Sequence, residues 1–318
     1  MAAKMRCERL AGNYANATDT CISLLKFADL IQQDAECTIN YLVGVAILDI
    51  GLTQARDLVR DPGMPGSELK KLSESLADLG PFAPGLIRAI KGEYKMAANT
   101  IDDFAAGNLN MEDLTGTAPS ILTGIWINSY LFQPNQTKLI FATVFRDMIT
   151  NAPRYYADMN LSDGEDVFGL NELDESKWTL MFEPNAIGRV LYVVLMPALD
   201  GALERKCRAA CDVAATHLLA VIHLYKKNNG AVPENLQELV PECLDSVPVD
   251  PYDGQKFRYN PREPILYSVG KDGKDSGGSS EPLSESEFDS GHSNRWKSED
   301  AVYKIDNKSE QEKSSKSS

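Results

Sequence analysis

The chain contains no run of 18 consecutive apolar residues, so no segment of it reads as a membrane-spanning helix. The best candidate, Val190 to Leu199, is too short, contains Pro197, and suits a buried helix. The opening Met1-Ala-Ala-Lys-Met-Arg-Cys-Glu-Arg9 lacks the apolar core of a signal peptide. These two absences leave two readings open: the protein is cytoplasmic, or an N-terminal anchor has been removed from this chain. Membrane attachment would then run only through an anchor that these residues do not contain. Basic charge is also scarce. Forty-six acids against 32 bases give a net charge of −14 with no Lys/Arg cluster, which argues against a nucleic-acid partner. A duplex-binding surface needs clustered cations to displace counterions.

Cysteine is too sparse to staple the fold. The six residues (Cys7, Cys21, Cys37, Cys207, Cys211, Cys243) include no C-x-x-C pair, so a structural zinc site is not indicated. Cys207 and Cys211 share a helix face and read as small buried residues, with a disulfide or a metal pair as the alternative. Among three histidines, His217 and His223 are spaced wrongly to meet one metal on a helix, and His292 lies in a polar stretch. No nucleophile elbow, zincin, P-loop or dinucleotide-binding motif occurs. Nothing here reads as an active site; an uncharacterised hydrolase working through paired carboxylates is the minor alternative.

What is present is enough apolar residue, 43% of 318, for two domains with real cores. The pattern predicts an α+β protein: a mostly α-helical N-terminal region, 1–185, followed at 186–306 by a long helix packed on a small antiparallel β-sheet. Helix is expected over 18–60 with a break near Gly51, from Ser67 to Leu79, and over 84–105. In that last segment Leu86, Ile90, Tyr94, Ala97, Ile101 and Phe104 form one stripe. Further helices are expected over 119–132 and 135–150, divided by Pro134, and then a long surface connection over 151–185. Trp126 with Tyr130 and Phe141 with Phe145 read as core. A helix from Asn185 to about Asn228, kinked at Pro197, should stop at Asn228-Asn-Gly230.

A short helix over Pro233–Val240 and three β-like runs follow, at Lys256–Tyr259, Ile265–Val269 and Ala301–Ile305. The segment 276–294 reads as a flexible excursion and 307–318 as a disordered tail.

The ordered pieces Tyr225-Lys-Lys-Asn-Asn-Gly230, Val232–Val240, Val249-Asp-Pro-Tyr-Asp-Gly254, Phe257-Arg-Tyr259, Tyr267-Ser-Val-Gly270 and Asp272-Gly-Lys-Asp-Ser-Gly-Gly278 resemble the C-terminal region of the major (G-type) pseudopilins of type II secretion. They are also similar to a bacterial envelope family of unknown function that carries the same cassette behind a helical region. The run Tyr41-Leu-Val-Gly-Val-Ala, Asn135 after Pro134, and Asn185-Ala-Ile-Gly-Arg189 look similar to that family's helical part. One departure is plain: the equivalent helix is internal here, with residues 1–185 before it.

The resemblance implies a non-catalytic, envelope-associated structural or adaptor protein that works through protein partners of unknown identity. The alternative is a soluble helical protein-binding module. The resemblance also implies a calcium ion (Ca2+) in the loop after the second strand. The matching residues are Asp272 and Asp275, with Asp300 entering the last strand. Calcium takes six to eight oxygens, and a Gly-rich loop with acids three apart can turn its carbonyls inward. The competing reading is that Asp272-Gly and Asp275-x-Gly-Gly only make turns. The pair Asp250/Asp253 likewise reads as a β-turn, Asp-Pro-Tyr-Asp-Gly, ahead of an acid–base pair.

Overall fold

Close approach sets how the first long helices meet. The structure, a computed structural model, describes residues 1–115, 129–160, 183–195, 201–283 and 295–306. After α1 (Ala2–Leu10), α2 (Tyr14–Gln33) and α3 (Thr38–Val59) form an antiparallel hairpin. At the seam, a Cβ on Gly44 would stand 2.6 Å from Cγ of Gln32, and one on Gly51 would stand 2.8 Å from Cδ2 of Leu25. The expected break near Gly51 is therefore corrected. Gly51 lies inside α3, where its missing side chain admits Leu25, and the chain turns instead at residues 34–37.

Three more helices continue the N-terminal half: α4 (Gly66–Ala77), α5 (Ala83–Ala105) and short α6 (Met111–Thr115). The stripe read from α5 is buried at Leu86, Ile90, Ala97, Ile101 and Phe104. Then α7 (Pro134–Asn151) opens on proline, where the missing N–H costs nothing. Next comes α8 (Ala186–Leu195). Its entry is fixed by Asn185, which adopts a left-handed φ of 57° and accepts hydrogen bonds at Oδ1 from Gln133 N (2.9 Å) and Thr137 Oγ1 (3.0 Å). A single helix over 185–228 is not what forms. α8 is described as far as Leu195, and α9 (Ala202–Asn229) starts afresh after Gly201, whose φ is 72°. Gly230, at φ 81°, stops α9 where Asn228-Asn-Gly230 predicts it.

The helix expected over 119–132 does not reach its C-terminal end, where residues 129–131 form a turn, and Tyr130, expected in the core, is 48% exposed, whereas Phe141 and Phe145 are buried. The expectations over 119–128, most of 151–185, Pro197, Trp126, His292, the greater part of 276–294, and 307–318 fall outside the described residues.

A three-stranded antiparallel sheet in the order β1-β2-β3 completes an α+β fold: β1 (Arg258–Asn260), β2 (Ile265–Ser268) and β3 (Ala301–Lys304). Leu266 is opposite Tyr259 on one side and Tyr303 on the other. Leu266 and Tyr303 are fully buried and belong to the same core as α9. Before the sheet, Leu236–Leu239 makes one 3-10 turn, held by a capping box between Asn235 and Glu238.

Two clusters of buried side chains hold the chain together, and α9 enters both. The first joins α1 to α4 with Cys207 to Ile222 of α9 and with the sheet; the second joins α5, α7, α8 and the start of α9. Each core thus takes residues from both sides of position 185, so the stretches 1–185 and 186–306 bury their apolar surface against one another. By length and hydropathy alone α9 could cross a membrane, but two-thirds of its most apolar window, 67%, is buried inside the protein.

Candidate cation site

The loop leaving β2 begins at Gly270 and returns to β3 at Asp300. Asp300 is fully buried. Its Oδ2 accepts from the backbone N–H groups of Gly278 (2.8 Å) and Ser279 (3.2 Å), and its own N–H donates to the Ser279 carbonyl at 3.0 Å. Among the described residues the other oxygen, Oδ1, is buried with no hydrogen-bond partner. Burial pushes the Asp300 carboxyl above the ordinary aspartate value, and the nearby negative charge of Asp275 adds to that. The backbone donors pull the other way.

Asp275 is half-exposed and well occupied. Its Oδ1 accepts from Gly277 N (3.0 Å) and Tyr267 OH (3.3 Å), and its Oδ2 accepts from Arg258 Nε (3.3 Å). Asp272 is exposed, and its Oδ1 accepts from Lys274 N at 3.1 Å, which closes its own turn. Among the described residues, no three His, Cys, Asp or Glu side chains are placed to hold one metal ion. Of the three, only Asp275 and Asp300 are linked, through the effect of the Asp275 charge on the Asp300 carboxyl, and no described group of three acids includes Asp272. Asp300 Oδ1 suits a cation because, among the described residues, it is a buried oxygen without a hydrogen-bond partner, a costly state for a polar atom. Asp275 fits as a second oxygen donor, shared with Arg258.

Next to this loop lies an arrangement that the sequence reading missed. Asp250, read as a turn residue ahead of an acid–base pair with Asp253, is fully buried. Its Oδ1 accepts from Ser268 Oγ (2.8 Å) and Tyr252 N (3.0 Å), and its Oδ2 accepts from Val269 N (3.1 Å) and Arg258 Nη1 (3.3 Å). The turn itself forms, with Gly254 N donating to the Asp250 carbonyl at 2.8 Å. Arg258 also grips Asp253, so one guanidinium collects Asp250, Asp253 and Asp275. Burial raises the Asp250 pKa, while its backbone and side-chain donors favour the ionised form. With four donors on two oxygens, Asp250 has no free lone pair aimed at a substrate. Its chemistry is positioning: it ties the turn to the end of β2. The available signal was Ser268, a hydroxyl on a strand where an apolar residue would otherwise sit.

The six cysteines are free thiols, and Cys207 and Cys211 are buried, as small apolar residues are. Burial drives the Cys211 thiol well above its usual range. His217 and His223 make no joint site; Nε2 of His223 lies 3.0 Å from the Ile305 carbonyl.

Comparison of the chain with models of known protein families, with characterised proteins and with solved structures finds no match.

Proposed function

We propose that the protein is a non-catalytic structural or adaptor component associated with a bacterial cell envelope, and that its pseudopilin-like C-terminal module is stabilised by calcium. The observation that carries the reading is the carboxylate of Asp300. It organises the Gly278–Ser279 turn with one oxygen and holds the other buried and unbonded beside Asp275. The ordered cassette also folds as a long helix, α9, against a three-stranded antiparallel sheet with this loop after the second strand. In the calcium-loaded form, Asp300 Oδ1 and an Asp275 oxygen supply charged ligands, and turn carbonyls and water complete the oxygen shell that calcium requires.

The test is titration of the full chain with calcium by calorimetry, beside Asp300→Asn. Saturable binding that the variant loses supports the reading. Absence of heat in the native chain at millimolar calcium removes the ion from it. Terbium gives a second readout, because Tyr267 donates to Asp275 and so lies close enough to sensitise luminescence from a bound lanthanide.

A further inference from the structure

The α2–α3 hairpin has two flanks, and only one is covered. The contact line between the helices is marked by Gly44, whose position faces Ala28 and Gln32, and by Gly51, which faces Leu25. Turning about 100° per residue from that line places Phe27 of α2 and Val43 of α3 on the same side of an antiparallel pair. Ile50 and Ile39 lie further round on that side, Leu30 lies on the outer face of α2 beyond Phe27, and Ile31 and Ile47 are half-buried between the stripe and the seam.

The opposite flank is packed on the rest of the protein. There Gly80 N donates to Asp29, Thr38 N donates to Glu93, and Arg56 reaches Asp212. The first flank is open among the described residues: Phe27 is 51% exposed, Leu30 57%, Ile39 62%, Val43 48% and Ile50 49%. Isolated apolar residues on a surface need no account, but five on adjoining turns of two paired helices do.

We propose that this flank is the contact by which two copies of the chain associate, hairpin against hairpin, through one isologous interface. Area supports it. Five half-exposed large side chains present on the order of 450 Å² of apolar surface, whereas a standard interface covers about 800 Å² per partner. A little over half of such an interface is apolar, so the patch has the size of its apolar core, with the polar residues around it as the rim.

Charge selects the occupant. A lipid surface of anionic headgroups attracts basic amphipathic helices, and a chain of −14 is repelled by it. A second copy offers the same apolar stripe, with Asp34 and Asp57 only at its two ends, so the stripes can meet with the acids at the rim. The same net charge makes the copies repel at long range, so the association is tightened by salt, opposite to the behaviour of a contact made by ion pairs.

The experiment is sedimentation equilibrium of the full chain at low and raised ionic strength, for the native protein, Val43→Glu, Val43→Lys and Ile50→Glu. Circular dichroism melts confirm that these exposed changes leave the fold intact. The expected result is a reversible dimer at micromolar concentration, stronger in salt. Each variant should weaken it at least tenfold, and the Lys and Glu changes at Val43 should act alike. A native chain that stays monomeric at hundreds of micromolar overturns the proposal, as does a dimer that all three variants leave intact. Binding to anionic vesicles by monomer, lost in the variants, overturns it in favour of a membrane surface.

Discussion

The hydroxyl of Tyr303 on β3 donates to Oδ1 of Asp212, midway along α9, at 3.0 Å. The same oxygen accepts from Arg56 of α3 at 3.2 Å and from Arg295 at 3.3 Å, and Arg56 also donates to Thr216. Arg295 lies over the Tyr303 ring, 4.4 Å from its centroid. One buried carboxylate thus joins the N-terminal helices, the long helix and the sheet. Removing it leaves Arg56, whose side chain is 4% exposed, with only the exposed carboxylate of Asp49 at 3.9 Å as a counter-charge. Asp212→Ala should cost about 3–5 kcal/mol in denaturant unfolding, while Tyr303→Phe, which loses one hydrogen bond, should cost about 1–2 kcal/mol. Equal, small effects for both would show that the network is not a stability element.

Gly92 of α5 passes over the turn between α2 and α3 so closely that a Cβ there would sit 1.8 Å from the Glu36 carbonyl oxygen. Ala is a better helix former than Gly, so propensity alone predicts that Gly92→Ala stabilises by up to about 1 kcal/mol. The steric clash with backbone reverses the sign, and the expected outcome is a loss of about 1–3 kcal/mol. A raised melting temperature in the variant would contradict the packing of α5 on that turn.

Because α9 supplies both cores, residues 1–185 expressed alone should lack a partner for α3 and α4 and fail to show a cooperative melt. Calorimetry or urea unfolding followed by circular dichroism decides it. A stable fragment that binds a protein partner would favour a soluble helical binding module over the proposed reading.

Much of this fold was legible in the sequence where local chemistry decides it. The apolar stripe of α5, Pro134 at the head of α7, Gly230 at the end of α9 and the three strands follow from spacing, capping and turn residues. Other elements depend on partners distant in sequence. Gly51 looks like a helix breaker until Leu25 is seen filling its place. Asp212 looks like one more solvent-facing acid on a helix, because Arg56 and Tyr303 are respectively 156 and 91 residues away. At the candidate site, the sequence placed three aspartates in one loop system. Only the folded chain separates Asp300, buried with a free oxygen, from Asp272, which caps its own turn.

His217 and His223 are both held below the ordinary imidazole value of 6.5, chiefly by burial. Around His223, the Ile305 carbonyl and Asp306 favour the proton, and Lys226 and Arg60 oppose it. Both rings are therefore neutral in the fold at a pH where the unfolded chain already binds protons. Their contribution is intact above 6.5 and is lost as pH falls from there through the folded values. Unfolding free energy should decline over that interval, and His217→Leu combined with His223→Gln should flatten the slope. An unchanged slope would show that neither ring is buried.

The most direct test of the account is a thermal melt of the native chain and of Asp300→Asn, each in millimolar calcium and in chelator. Because the folded carboxyl of Asp300 is raised, its ionisation opposes folding when no cation is present, and that penalty grows as pH rises through its folded value. An amide keeps an acceptor for Gly278 and Ser279 without the charge. The account predicts that calcium at a hundredfold excess over its dissociation constant stabilises the native chain by about 2.7 kcal/mol. It also predicts that Asp300→Asn matches or exceeds the native chain in chelator and gains nothing from calcium. Identical native melts with calcium and with chelator would contradict it.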